Sequence, residues 1–269
     1  MRLIVRASLF SAFVAIACKP TDGASSTPTE PTAPPAATPP AQVCGARADG
    51  SRHFRVLHIN DVYRIEGLAD GRGGLARVRT LRAQLEADCD AVLLTHAGDT
   101  LYPSLLSREY DGAQMIEVLN LLDGDAAAFD ERMVATFGNH EFDKDKMKDA
   151  AQLATRIADS QFAWLGTNVS FRAGEDGAPL IGGDNVVRSR VLELGGVKVG
   201  LFSLMVDSHV PEYVEQINTD YVGVAKAAVA ELRGQGAEVV LALTHLDARD
   251  DRKLLTELAG AAEIGRAHV

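Results

Sequence analysis

From residue 54 onward one pattern governs the chain: an apolar, β-branched-rich run stops abruptly at Asp, Asn or His. The run at 54–59 leads into Asn60 and Asp61. That at 90–94 leads through Thr95, His96, Ala97 and Gly98 to Asp99, and that at 133–137 leads through Gly138 to Asn139 and His140. Residues 162–165 lead to Gly166, Thr167 and Asn168, and residues 238–243 to Thr244 and His245. Between these runs lie amphipathic patterns. Leu75, Val78, Leu81 and Leu85 form a helical stripe over 75–86, and 113–122, 145–158, 221–235 and 250–258 read the same way. Strand and helix in alternation imply α/β layers around a buried sheet. Residues 191–194 and 197–202, joined by Gly195 and Gly196, read instead as an antiparallel hairpin, which makes the sheet mixed.

In layered α/β folds ligands sit beyond the carboxyl ends of the strands. Five strands here end in oxygen and nitrogen donors, and the segment 137–143 (FGNHEFD) is the densest of them. Burying so many polar groups costs several kcal/mol unless each finds a partner or a bound group (about 2–7 kcal/mol apiece). Asp61, Asp99, Asn139 and His245 are the residues that such a fold would bring together. A pair of divalent cations needs a bridging carboxylate, terminal carboxylates or imidazoles, and amide oxygens. Asp99 suits the bridge, because Gly98 before it lets the backbone approach closely. Two cations so held would generate hydroxide near neutral pH and clamp a phosphoryl group. Taken singly each residue has a plainer reading. An Asp after a strand is commonly a helix N-cap, a His there a hydrogen-bonded rim residue, and Gly71-Arg72-Gly73-Gly74 a flexible loop. Five strand ends with donor chemistry in one chain make the collective reading the stronger.

A net charge of −10 argues against a nucleic-acid polymer as partner, while bound cations would still admit a small phosphorylated substrate. At the N-terminus, Arg2 and Arg6 flank an apolar run too short to span a bilayer but suited to a signal peptide. The run closes on Ala15-Ile16-Ala17-Cys18, which resembles the lipobox of bacterial lipoproteins, with Cys18 as the lipidated residue. Residues 1–18 are thus expected to be a lipoprotein signal peptide, and export with lipid anchoring in the periplasm or at the cell surface follows. Residues 19–42 hold seven of the ten prolines and read as a disordered Pro/Thr/Ala-rich tether. In an exported chain Cys44 and Cys89 are either a disulfide stapling the domain's N-terminus or two thiols.

The motifs HINDVYRIEG, GGLARV, HAGDTL, GNHEFD, LGTNV and LTHLD, in that order, resemble the N-terminal catalytic domain of the bacterial 5′-nucleotidase family. These are calcineurin-like metallophosphatases. The resemblance runs from about residue 54 to 260. It implies an α/β fold, a four-layer α/β/β/α sandwich with mixed sheets, over residues 43–262. It implies a hydrolase of nucleotides or related phosphomonoesters, in some members with 2′,3′-cyclic phosphodiesterase activity, using two divalent cations drawn from Mn, Zn, Mg, Fe or Co. Carried over, Asp61 would bind one cation, Asp99 would bridge, and Asn139 and His245 would bind the other. His140 would contact the phosphoryl group, oriented by Asp143. The family's first motif is commonly D-x-H, but here it reads Asp61-Val62-Tyr63, with Tyr63 at the position of a ligand. The family's G-H-x-H motif and its C-terminal specificity domain find no match. The domain is therefore expected to be incomplete at its C-terminus, residues 263–269 to be a non-native tail, and the chain as it stands to be inactive. Two alternatives share the motifs: a thiosulfohydrolase of the same superfamily, and a non-catalytic surface lipoprotein with a degenerate metal site.

Overall fold

The computed structural model describes residues 44–47, 49–259 and 263–268. The leader with Cys18 and the tether over 19–42 lie outside the described residues. In chain order the elements are β1 (Gly45–Ala46), β2 (Arg52–His53), β3 (Arg55–Ile59), α1 (Leu75–Glu86), β4 (Val92–His96), α2 (Leu105–Tyr110) and α3 (Ala113–Leu119). There follow β5 (Met133–Thr136), α4 (Ala150–Ala158), β6 (Ala163–Leu165), β7 (Val169–Phe171), β8 (Val186–Val187), β9 (Ser189–Leu194) and β10 (Val197–Met205). The last are β11 (Val214–Ile217), α5 (Tyr221–Gly234), β12 (Val239–Leu246), α6 (Ala248–Glu257) and β13 (Glu263–His268).

Two larger sheets carry the fold. The first has the order β3-β4-β5-β6-β8 and is parallel throughout. The second has the order β13-β12-β10-β9, with β9 antiparallel to β10 and the other pairs parallel. Because side chains alternate across a strand, each buried strand feeds two cores. On β4, Leu94 belongs to the core on the helical side with Leu75, Ile116, Leu119 and Ile157, whereas Leu93 belongs to the core between the sheets with Val199, Leu201 and Leu243. On the second sheet Phe202, Val240 and Ala242 turn outward against Ala225, Leu232 and Leu254 of α5 and α6. Three apolar clusters separate four layers, the α/β/β/α sandwich.

The stripe over 75–86 is helix α1 with those bounds, and Gly195-Gly196 closes the β9–β10 hairpin with φ of 57° and 77°. A two-residue hairpin turn with positive φ at both positions is open to glycine at little steric cost. The helix expected over 145–158 starts only at Ala150, after a tight turn over Met147–Asp149. Helix α2 gives no sequence signal, since its six residues expose Leu105 and Tyr110 and bury Ser107, which inverts the usual pattern. Residues 263–268, read as a tail, lie parallel beside β12, with Glu263 opposite Leu241 and Ala267 opposite His245. Cys44 and Cys89 are joined by a disulfide, Cα–Cα 4.9 Å.

One of the five strand ends departs from the expected pattern. Asn168, after β6, is buried, and its side chain serves the backbone of the second sheet. It accepts from the Met205 N–H at 2.9 Å and donates to the Met205 carbonyl at 2.9 Å and to the Asn218 carbonyl at 3.2 Å. Thr167 beside it accepts from the Ser203 N–H at 2.8 Å and donates to the Arg188 carbonyl. These two residues tie sheet to sheet and are not part of the acidic cluster, so four strand ends, not five, build the site. Asn168→Ala should cost about 1–3 kcal/mol, because the buried Met205 N–H loses its acceptor. Urea unfolding measures this, and unchanged stability would dismiss the tether.

Candidate metal centre

Two loops meet through bare backbone. A Cβ on Gly98 would lie 2.5 Å from the Gly138 nitrogen, and one on Gly138 would lie 2.3 Å from Asp99 Oδ1. Neither position tolerates a side chain without displacing the other loop. Asp61 and Asp99 both sit in the left-handed region, with φ of 52° and 62°. Non-glycine residues adopt it sparingly, Asp more readily than most, and the surroundings must impose it. The Asp61 N–H donates to the Gly98 carbonyl at 3.1 Å and the Ala97 N–H to the Ile59 carbonyl at 2.9 Å, extending the β3–β4 ladder into the loops.

Glu141 fastens the arrangement. Its carboxylate is 2% exposed. Oε2 accepts from the N–H groups of Asp99 at 2.9 Å and Gly138 at 2.6 Å. Oε1 accepts from Thr100 at 2.7 Å and Leu101 at 3.2 Å. Burial and the Asp99 charge push its pKa up, and the backbone donors oppose them. Glu141 stands inside the GNHEFD segment, whose sequence alone assigns it no role. The available signal was spacing: a residue accepting three positions after the start of a turn is the capping-box relation, and Asn139–Phe142 is such a turn.

Donor atoms converge above this floor. Asp99 Oδ1 accepts the His140 backbone N–H at 2.8 Å, while Oδ2 lies 3.3 Å from His245 Nε2 and 3.1 Å from the Tyr63 hydroxyl. His245 is fully buried. Its Nδ1 lies 2.7 Å from the Ala97 carbonyl, which can only accept, so Nδ1 carries hydrogen and Nε2 faces Asn139 Oδ1 at 3.2 Å. The Tyr63 hydroxyl also donates to Asp61 Oδ1 at 2.9 Å, and the Asn60 amide donates to Asp61 Oδ2. One donor atom each from Asp61, Asp99 and His245 lies within 4.8 Å of the others. His140 stands at the rim, half-buried, with Nδ1 2.8 Å from Asp143 Oδ1 and Nε2 4.0 Å from Asp99 Oδ2. Asp61, Asp99, Asn139, His140, Asp143, His245 and Tyr63 are thus gathered in one place.

Electrostatics match that geometry. Burial raises the Asp99 pKa, but the His245 hydrogen bond and charge and the His140 N–H outweigh it and hold the carboxyl below its ordinary range. Burial lowers that of His245, but the Asp99 hydrogen bond and charge, with the Ala97 carbonyl, outweigh it and lift the imidazole to about 9. Burial and the neighbouring carboxylates push the Tyr63 phenol up, so it stays a neutral donor. Burial, with His58 and His245 nearby, drives the enclosed His96 down to about 3, and its Nδ1 accepts the Gly98 N–H at 3.2 Å.

Carboxylate, amide oxygen and an imidazole oriented by a backbone carbonyl form a donor set that fits a divalent cation. In metal-free protein, His245 lifted from 6.5 to about 9 contributes stability that is full below pH 6.5 and lost as pH rises through 9. The melting temperature of EDTA-treated protein should therefore fall between pH 6.5 and 9, and His245→Gln should flatten the slope. A wild-type melting temperature that rises across the window would refute the pairing.

The calcineurin-like phosphoesterase family matches residues 54–251. A snake venom 5′-nucleotidase from Gloydius brevicauda is 27% identical over 82% of this chain; the chain spans 37% of that relative's length. The solved structure of a 5′-nucleotidase precursor from Thermus thermophilus superposes with a TM-score of 0.59 at 24% identity, covering 74% of this chain and 38% of that one. A Haemophilus influenzae NAD nucleotidase gives a TM-score of 0.60 at 20% identity, covering 74% and 35%. These two likenesses concern the fold.

Proposed function

Given that this chain belongs to the calcineurin-like phosphoesterase family, we propose that it is the catalytic domain of a metal-dependent hydrolase of nucleotides or related phosphomonoesters. The observation that carries this reading is the convergence of Asp61, Asp99, Asn139 and His245 from four strand ends, with His140 standing beside them. The 5′-nucleotidase among its relatives supports the nucleotide substrate.

Asp61, Asp99, Asn139 and His245 would hold two divalent cations, with Asp99 shared between them. Cations held there supply Lewis-acid polarisation of a phosphoryl oxygen and activation of water for in-line attack. The chain's own residues supply the rest. His245 is oriented before anything binds, because the Ala97 carbonyl fixes its Nδ1 hydrogen and leaves Nε2 facing the cluster. Asp143 bonds Nδ1 of His140 and so directs Nε2 towards the centre. In the protonated state His140 stabilises negative charge gathering on the phosphoryl oxygens and leaving group, a role that leaves cation binding to others. The Glu141 clamp keeps Asp99 and the Asn139 turn at fixed separation, which matters because displacements of about 1 Å cost on the order of a hundredfold in rate.

The test is hydrolysis of a nucleoside monophosphate with manganese, by the protein carrying this domain. Asp99→Asn should abolish turnover with the fold retained. His140→Ala should lower kcat by roughly a hundredfold or more while manganese still binds. Near wild-type turnover in Asp99→Asn would overturn the proposal.

A further inference from the structure

Tyr63 places a hydroxyl donor where a cation would stand. Its hydroxyl lies 2.9 Å from Asp61 Oδ1 and 3.1 Å from Asp99 Oδ2, so a single proton is shared between the two carboxylates. Those oxygens are the ones left to a ligand. Asp61 Oδ2 is engaged by Asn60, and Asp99 Oδ1 by the His140 backbone. The same Asp99 oxygen also meets the donors of the second position. His245 Nε2 lies 3.3 Å from Asp99 Oδ2 and 3.2 Å from Asn139 Oδ1. The Tyr63 ring is further fixed by an edge contact with the His140 imidazole, centroids 5.7 Å apart and planes at 86°.

We infer that Tyr63 makes the two cation positions unequal, its hydroxyl acting as a competitor for Asp61 and Asp99 and not as a ligand. The inference rests on the metallophosphatase reading above. Occupancy at Asp99, Asn139 and His245 disturbs none of the Tyr63–Asp61 bond. Occupancy between Asp61 and Asp99 requires the hydroxyl to leave both carboxylates. A hydrogen bond to a charged acceptor is worth a factor of about ten or more in an equilibrium, so the second position is expected to be weaker by at least that factor. Metal-free protein has a reason to keep the hydroxyl: it bridges two carboxylates that would otherwise repel across the site. The centre is thereby biased towards one resident cation and one that comes and goes.

The competitor and ligand roles predict opposite signs for Tyr63→Phe. That variant keeps the ring, and with it the contact on His140, but removes the hydroxyl. Manganese is titrated into EDTA-stripped protein and followed by electron paramagnetic resonance of free and spin-coupled manganese, alongside calorimetry. Wild type should show two steps at least tenfold apart. Tyr63→Phe should tighten the weaker step by about tenfold and leave the stronger within about twofold. Tyr63→His, which offers a lone pair in place of the donor, should bring the steps together and raise the spin-coupled signal. Equal steps in wild type overturn the inference while leaving the metal centre standing. So does a weaker step that Tyr63→Phe loosens or leaves unchanged. Wild type that takes up no manganese overturns the inference together with the reading on which it rests.

Discussion

The contact on which the site depends is between Gly98 and Gly138, where two strand-end loops touch through backbone alone and one buried carboxylate receives N–H groups from both. Glu141 does here what a bound anion does at a helix N-terminus: it collects orphan N–H donors into one negative point. Asp99 is thereby held in a left-handed conformation that the loop alone would not select. Any cation held by Asp99 would benefit from this, since a carboxylate on a mobile loop would lose part of its binding free energy to ordering the chain.

The layered architecture explains why donors from distant parts of the chain arrive together. Parallel strands β3, β4 and β5 and, across the inter-sheet core, β12 all end on one side. Leu93, Val134, Leu201 and Leu243 pack the sheets against each other and so fix the distance between Asp99 and His245, residues far apart in sequence. The fold positions the chemistry by packing; the polar residues then relieve each other's burial.

Much of this was legible in the sequence because period and termination are local signals. Alternating runs ending in donors marked the strands, and the stripe at Leu75, Val78, Leu81 and Leu85 marked α1. What stayed hidden was non-local or short. Asn168 has the same sequence context as the site residues, and only its bonds to Met205 reveal a structural task. Glu141 reads as one more exposed carboxylate until four N–H groups surround it. Helix α2 buries a serine and exposes leucines, so hydrophobic periodicity misses it. Tyr63 was visible as a departure, but its sharing of one proton between two carboxylates needed coordinates.

The Cys44–Cys89 bond spans a sequence separation of 45. Within that ring of chain lies β3, an edge strand with a single neighbour in its sheet, and Asp61 rides on its end. Closing such a ring removes conformational freedom from the opened chain worth about 4 kcal/mol on an entropic account. An edge strand with a single partner is therefore held by a covalent hoop. Fraying of that edge, which would carry Asp61 away from Asp99, would then depend on the redox state of two buried sulfurs. A thiol-rich environment would slacken the cluster's weaker side before it touched the stronger.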